Sequence, residues 1–447
     1  LTLSTTKLPP GPKGRPLVGN LLDYSRDPLE FLARSSREYG DLVRLQFPGP
    51  PAYLLSNPDH IEWILVGHNR NFIKDRLTKQ MLGILGDGLL TSDGEFWRRQ
   101  RRLAQPAFHR ERTDNYAETM VAYTERMLKE WRHGEERDVH RDMMRLTLEI
   151  VAKTLFDADI GGEAEEVGSS LGTVMTHFSD QGNNVFLRML PDSVPTPSNL
   201  RFRRANRRLE EFIYGIIEER RRSGRDAGDL LSMLLQARDE DGGRMSDRQL
   251  RDEVMTVVMA GHETTAIALS WTFYLLGEHP EVEQKLYSEL SEAVDGPPTV
   301  ADLPRLPYTD MVIKEAMRLY PPAWAIGREA LDECEIGGFR VPAGTQMFIS
   351  QWVVHRDARL FESPQAFYPE RWRDGLEKTL PKYAYFPFGG GPRLCVGQSF
   401  ARMEAVLLLA TIARKFRLAP VAAQTIATQP SITLRPKNGI KVTLEER

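Results

Sequence analysis

Apolar residues recur at helical spacing over most of the chain from about Pro58 to Tyr320, which predicts a mostly helical body. Two stretches interrupt that rhythm, Leu190 to Asn199 and the charge-rich run Arg201 to Arg225. Strand-like grammar takes over outside the body. Leu42 to Leu45 and Ala52 to Leu55, separated by Pro48-Gly49-Pro50-Pro51, predict a hairpin. Ile336 to Gln351 alternates short apolar runs with Gly337-Gly338 and Pro342-Ala343-Gly344, and a second hairpin is expected from Ser431 to Leu434 and Ile440 to Leu444. The proline-rich opening, Leu8 to Pro16, reads as an extended lead-in.

Strand pieces thus come from both ends, with no clean linker and no internal repeat between them. The expected architecture is a single mainly α domain with small β-sheets (α+β) over residues 1–447. Its helix-rich body covers about 58–320, and its β-rich part is drawn from 36–57, 336–351 and 431–445. Ser246 to His279 reads as one helix of roughly 50 Å, opened by a capping box of Ser246 with Gln249 and stopped by Pro280. A second apolar helix is predicted from Gln398 through Phe416.

Composition narrows the function classes. The chain of 447 residues is 41% hydrophobic and 27% charged, within the globular range, and its net charge of -3 gives nucleic acid no overall basic field to bind. Two cysteines, Cys334 and Cys395, are too few for a disulfide framework and fit a reducing, cytoplasmic setting. No stretch reaches the ~18 apolar residues of a membrane span. The start at Leu1 leaves open a trimmed leader, an absent anchor or a severed reductase.

Cys395 has unusual company. The run Phe388-Gly389-Gly390-Gly391-Pro392-Arg393-Leu394-Cys395-Val396-Gly397 leads into the helix from Gln398. Unpaired N–H groups and the positive end of the helix dipole are expected there to favour a thiolate, the form that binds metal. The run resembles the haem-binding signature of the cytochrome P-450 family, Phe-Gly-x-Gly-x-Arg-x-Cys-x-Gly, at every signature position. The resemblance implies that Cys395 is the axial iron ligand of haem b, that Arg393 pairs with a propionate, and that Phe388, Gly389 and Gly397 shape the ligand loop. Cys334 matches no motif.

Midway along the long predicted helix stands Ala260-Gly261-His262-Glu263-Thr264-Thr265. Glycine weakens a helix and threonine competes for its carbonyls, so a local widening that admits water is expected. An acid beside an alcohol can relay protons through such a water. The hexamer is similar to the oxygen-activation motif of the same family. That implies Thr264 as the oxygen-site alcohol, Glu263 as the acid, and Ala260 with Gly261 as small residues leaving room above the haem, with His262 no ligand.

Three further elements follow from the resemblance. Glu315 and Arg318, three apart on a short helix, with Arg371 of Pro369-Glu370-Arg371-Trp372 would form a buried structural triad. Trp97 and Arg101, four apart on one helix face, and Arg328 would hold propionates. Leu77, Leu82, Val257, Ala260, Ala323, Ile326 and Ile432 would border a distal pocket whose apolar lining suits a lipophilic substrate, such as a fatty acid, terpenoid or steroid-like molecule. The form of the hexamer and the stretch Leu85 to Gly94 lean toward fatty-acid-oxidising branches, and Arg76 is a weaker candidate for a carboxylate anchor.

The function implied is a monooxygenase that inserts one oxygen atom of O2 into that substrate by hydroxylation or epoxidation. Its electrons would come from NAD(P)H through a ferredoxin or a flavodoxin/FMN-reductase type donor, since no flavin or iron–sulfur motif occurs in the chain, and it would act as a monomer. Two other readings stay open: a peroxide-driven peroxygenase or isomerase on the same scaffold, and a non-catalytic haem-binding sensor. Arg98, Arg99 and Arg102, beside the propionate candidates, suit steering of an acidic donor. Reversal of Arg99 and Arg102 to glutamate is expected to slow reduction and flatten its salt dependence in stopped-flow kinetics.

Overall fold

The helix Asp247–Glu278 is buried on nearly every side, its charged members Arg251, Asp252, Glu253 and Glu263 included. Almost every residue from Leu250 to Leu276 is buried along it. The structure, a computed structural model, describes residues 7–109, 114–183, 194–238, 243–422 and 424–447. The helix opens as its sequence predicts: Ser246 Oγ accepts from the Gln249 N–H at 3.3 Å while Gln249 Oε1 accepts from the Ser246 N–H at 2.8 Å. It ends at His279, and Pro280 starts the next helix. Its most extensive contact is with the helix Val139–Phe156, and it also meets Pro307–Leu319 and Gln398–Lys415.

The expected widening at Gly261 is absent, since the helix is continuous through the hexamer. The Thr264 hydroxyl donates to the Ala260 carbonyl at 2.8 Å and that of Thr265 to the Gly261 carbonyl at 3.4 Å. Both hydroxyls share carbonyls already within the helical ladder and leave it closed. The charged run from Arg201 is no interruption either. It lies in the helix Pro197–Ser223, capped by Thr196, because Phe202, Ala205, Leu209, Ile213 and Ile217 recur at helical spacing beneath the arginines. Residues 190–193 of the expected loop lie outside the described residues.

The strands are β1 Leu42–Leu45, β2 Ala52–Leu55, β3 Phe72–Ile73, β4 Glu136–Asp138, β5 Ile326–Ala330, β6 Cys334–Ile336, β7 Phe339–Val341, β8 Gln346–Ile349, β9 Phe416–Pro420, β10 Thr428–Pro430, β11 Leu434–Pro436 and β12 Lys441–Glu446. The first hairpin, β1 with β2, falls where expected, and β2 then pairs parallel with β8, Ala52 opposite Gln346. One sheet runs β1-β2-β8-β5-β3 and so joins both ends of the chain. The second expected hairpin is wrong. β11 pairs with β10, while β12 pairs with β9 and β4. Gly439 does turn the chain, with φ +72°, but a Cβ there would stand 2.1 Å from the Asp138 carboxylate, so the turn packs against β4 instead of closing a local hairpin.

The β10–β11 turn is pinned over the long helix. Trp271 Nε1 donates to the Leu434 carbonyl and Trp324 Nε1 to the Ser431 carbonyl, each at 2.8 Å. Ser246→Ala is expected to lower the unfolding free energy by about 1 kcal/mol in denaturant titrations, with Ser246→Thr close to wild type.

Candidate functional site

The approach to Cys395 is a tight loop whose glycines are sterically required. Gly389 and Gly391 have φ of +74° and +65°. A Cβ at Gly391 would stand 1.9 Å from the Leu65 carbonyl oxygen, and one at Gly390 would stand 2.1 Å from the Tyr383 ring. The Tyr383 hydroxyl accepts from the Gly391 N–H at 3.1 Å, and the Cys395 N–H donates to the Phe388 carbonyl at 3.0 Å. Arg101, from the helix Gly94–Ala104, donates to the Leu394 carbonyl at 2.7 Å.

The thiol itself departs from expectation. Cys395 presents exposed surface, yet burial by the surrounding chain pushes its pKa up, although the Gly397 N–H and the Arg101 charge work the other way. The cysteine helix begins at Gln398, three residues on, too far for its dipole to offset desolvation. A bound metal cation would favour the thiolate at this position.

The long helix opens in one place. From Leu250 to Gly277 it is buried except at Ala260, which is exposed, and Gly261, Thr264, Tyr274 and Gly277, which are half-buried. Ala260 and Thr264 share a helix face. Gly261 does something other than leave room over the haem: its missing side chain faces Val151 of the helix Val139–Phe156, where a Cβ would come within 3.1 Å, so its smallness serves helix packing. Of the pocket candidates, Val257 is buried, Ala323 and Ile432 are half-buried, and Leu77 and Leu82 are exposed. Ile326 is half-buried and packs on the cluster around Leu65 and Tyr383, where its Cδ1 would stand 3.4 Å from a Cβ at Gly389, against the cysteine loop. Arg76 pairs with Glu329 at 3.6 Å, which gives its charge a protein partner.

A group of buried cations lies beside this loop. Arg328 is 6% exposed and Lys74 9%. Burial, then repulsion from Arg393, pushes Arg328 down to about 10; burial with repulsion from Arg328 and Arg393 pushes Lys74 well below the usual lysine range. Arg393 stacks 4.3 Å over the Trp97 ring and donates to the Ser92 carbonyl at 2.9 Å and to Asp93 at 2.6 Å. Its Nη1 is buried and finds no partner among the described residues. Asp75 and Asp93 leave this cluster short of negative charge. A dianionic group with carboxylates at one edge and a metal to be met by Cys395 fits it, as haem does. Lys74 escaped sequence reasoning because nothing in its local run marks it as buried.

Glu315 and Arg318, on Pro307–Leu319, are both 0% exposed. Glu315 accepts from Arg318 Nε and Nη2 at 3.0 and 2.9 Å, Arg371 Nε at 2.8 Å, Trp372 Nε1 at 2.9 Å and the Tyr368 N–H at 3.1 Å. Arg318 spends its other donors on the carbonyls of His355, Pro364 and Ala366. His355 accepts from the Phe386 N–H at 3.0 Å through Nε2, just ahead of the cysteine loop. Burial, then Arg318 and Arg356, holds its pKa well below the usual histidine value, so it stays neutral and free to accept. Sequence motifs marked the three charges but missed His355 and Trp372, whose parts depend on chain far away.

The hexamer's charged member points elsewhere. Glu263, 2% exposed, gives its carboxylate to Thr433 and Arg435 of the C-terminal turn and β11. His262 Nδ1 donates to the Val258 carbonyl at 2.8 Å. Cys334 is half-buried with its thiol pushed up to about 11, first by burial. No cluster of three metal-binding side chains occurs among the described residues.

Residues 9–444 match the family model described as Cytochrome P450. Cyclooctatin synthase of Streptomyces melanosporofaciens is 40% identical over 95% of this chain and 92% of its own length. Cyclooctat-9-en-7-ol 5-monooxygenase of the same organism is 39% identical over 94% and 91%, and pentalenene oxygenase of Streptomyces avermitilis 36% over 95% and 92%. Glu315→Ala strands buried Arg318 and Arg371, so a loss of ~3–5 kcal/mol is expected, read as failure to accumulate protein with a stoichiometric haem content.

Proposed function

The chain belongs to the cytochrome P450 family and is a haem b monooxygenase supplied with NAD(P)H electrons by a redox partner, and from that premise we propose that it oxidises a carbocyclic terpenoid. The observation that carries the site is the opening at exposed Ala260 and half-buried Thr264 on one face of a largely buried helix, together with the exposed cysteine and the under-neutralised cations. The substrate class rests on relatives named for cyclooctat-9-en-7-ol and pentalenene. The lean to fatty acids, drawn from the form of the hexamer and the stretch Leu85 to Gly94, has weaker support, because Arg76, the candidate carboxylate anchor, is paired with Glu329.

Bound haem supplies the redox chemistry that splits O2, sending one atom to substrate and one to water. The protein's residues do the rest in this reading. Cys395 ligates the metal, with the Gly397 N–H and Arg101 supporting its negative charge. Arg328, Arg393, Lys74 and Trp97 hold the propionate edge, and Arg101 fixes the loop carbonyl before the ligand. Thr264 offers a hydroxyl at the oxygen site and Glu263 is its acid. Val257, Ala260, Ala323 and Ile432 present apolar surface to the substrate and keep bulk water from the reacting atoms.

The donor is proposed to be a ferredoxin or a flavodoxin-type protein meeting the arginine-rich helix Gly94–Ala104, and the enzyme a cytoplasmic monomer. No helix among the described residues is long and apolar enough to cross a membrane. The test is turnover of a terpenoid panel that includes pentalenene, against fatty acids, with a surrogate reductase. Product from the terpenoids alone is the expected result, and a preference for fatty acids overturns the substrate class. Thr264→Ala is expected to lower product by 10²-fold or less and divert reductant to hydrogen peroxide, whereas Cys395→His loses activity altogether.

A further inference from the structure

Glu263 precedes Thr264 by one residue, about 100° around the helix, and the two side chains have different surroundings. Glu263 Oε1 accepts from Thr433 Oγ1 at 2.6 Å and Arg435 Nε at 2.5 Å. Arg435 is 15% exposed along its side chain and Glu263 2%, so the pair is largely desolvated and strong. Burial alone would raise the acid's pKa, but the Arg435 charge and the bonds from Arg435 and Thr433 hold it below the usual carboxylate range. The other titratable neighbours are His262 and, from the helix Val139–Phe156, His140; burial pushes both down, His140 to about 4, so neither competes as a cation near neutral pH.

Both holders of Glu263 stand at the end of the turn that carries Ile432. That turn is tied in its turn to the segment carrying Ala323: the Leu434 N–H donates to the Pro322 carbonyl at 3.0 Å, and Trp324 Nε1 to the Ser431 carbonyl at 2.8 Å. A body pressing on Ile432 and Ala323 therefore presses on the mounting of Glu263. We propose that Arg435 is a positioning residue that, with Thr433, latches Glu263 to this turn and releases it toward the oxygen site when substrate displaces the turn. The proposal rests on the reading of Glu263 as the acid of that site. In the latched state the acid is ionised and turned away from Thr264, and oxygen reduction without substrate is held back.

The test needs no substrate. Purified holoenzyme with NADPH and a surrogate ferredoxin and its reductase is assayed for hydrogen peroxide in the absence of substrate, at about pH 6 to 8. Wild type is expected to leak slowly with little pH dependence, because its Glu263 stays ionised throughout. Arg435→Gln raises the folded-state pKa of Glu263, so the acid becomes protonated and loose as pH falls. A roughly tenfold rise in leak, growing toward low pH, is expected. Arg435→Lys restores the wild-type rate, and Thr433→Val, which keeps the ion pair, gives a smaller rise and replaces Arg435→Gln should that variant lack haem. Arg435→Gln with Glu263→Gln falls back to the rate of Glu263→Gln alone. A wild-type leak in haem-replete Arg435→Gln, or a leak that persists in the double variant, overturns the latch. Glu263→Gln indistinguishable from wild type in leak and in product yield overturns the acid reading and the latch with it.

Discussion

A carboxylate with no exposed surface survives only if its lone pairs are met, and Glu315 has them met from four residues. The consequence is geometric. Arg318 completes its own bonding on the carbonyls of His355, Pro364 and Ala366, so a stretch otherwise poor in regular structure is held against the helix Pro307–Leu319. His355 passes that order to Phe386, and Phe386 opens the loop to the ligand. Apolar side chains could fill the same space at similar or lower free energy; the bonds of Arg318 are what tie the carbonyls of His355, Pro364 and Ala366 to this helix.

The proposed haem site is the complement of this satisfied network. Lys74 and Arg328 are buried beside half-buried Arg393, the three repel one another, and one buried Arg393 nitrogen has no partner among the described residues. Such a group is costly until an anion enters it. Cofactor binding and folding are thereby coupled, since whatever binds the native state alone stabilises it. The thiol obeys the same logic: burial disfavours its charge, and a bound metal cation would reverse the balance.

Legibility in the sequence followed the range of the interaction concerned. The capping box of Ser246 with Gln249 and the hairpin of β1 with β2 are settled within a few residues, and both stand where the pattern put them. The helix Pro197–Ser223 is equally local, its period carried by Phe202, Leu209, Ile213 and Ile217 beneath a run of arginines that masks it. The pairing of β11 with β10, and of β12 with β4 and β9, depends on which surfaces meet, and adjacency in sequence misled.

The same division runs through the site. The sequence alone picked out residues of the right chemical kind: a cysteine after a glycine-rich run, an acid beside an alcohol on a long helix, and three charges in two short motifs. Each motif is short and its chemistry local, so a run of neighbouring residues carries it. Only the tertiary structure decided where those groups point: that Gly261 packs on Val151, that Ile326 lies against the cysteine loop, that Lys74 joins the buried cations, and that Glu263 is held by Arg435. Side-chain direction and burial arise from elements hundreds of residues apart meeting in space, and no run of neighbouring residues records them.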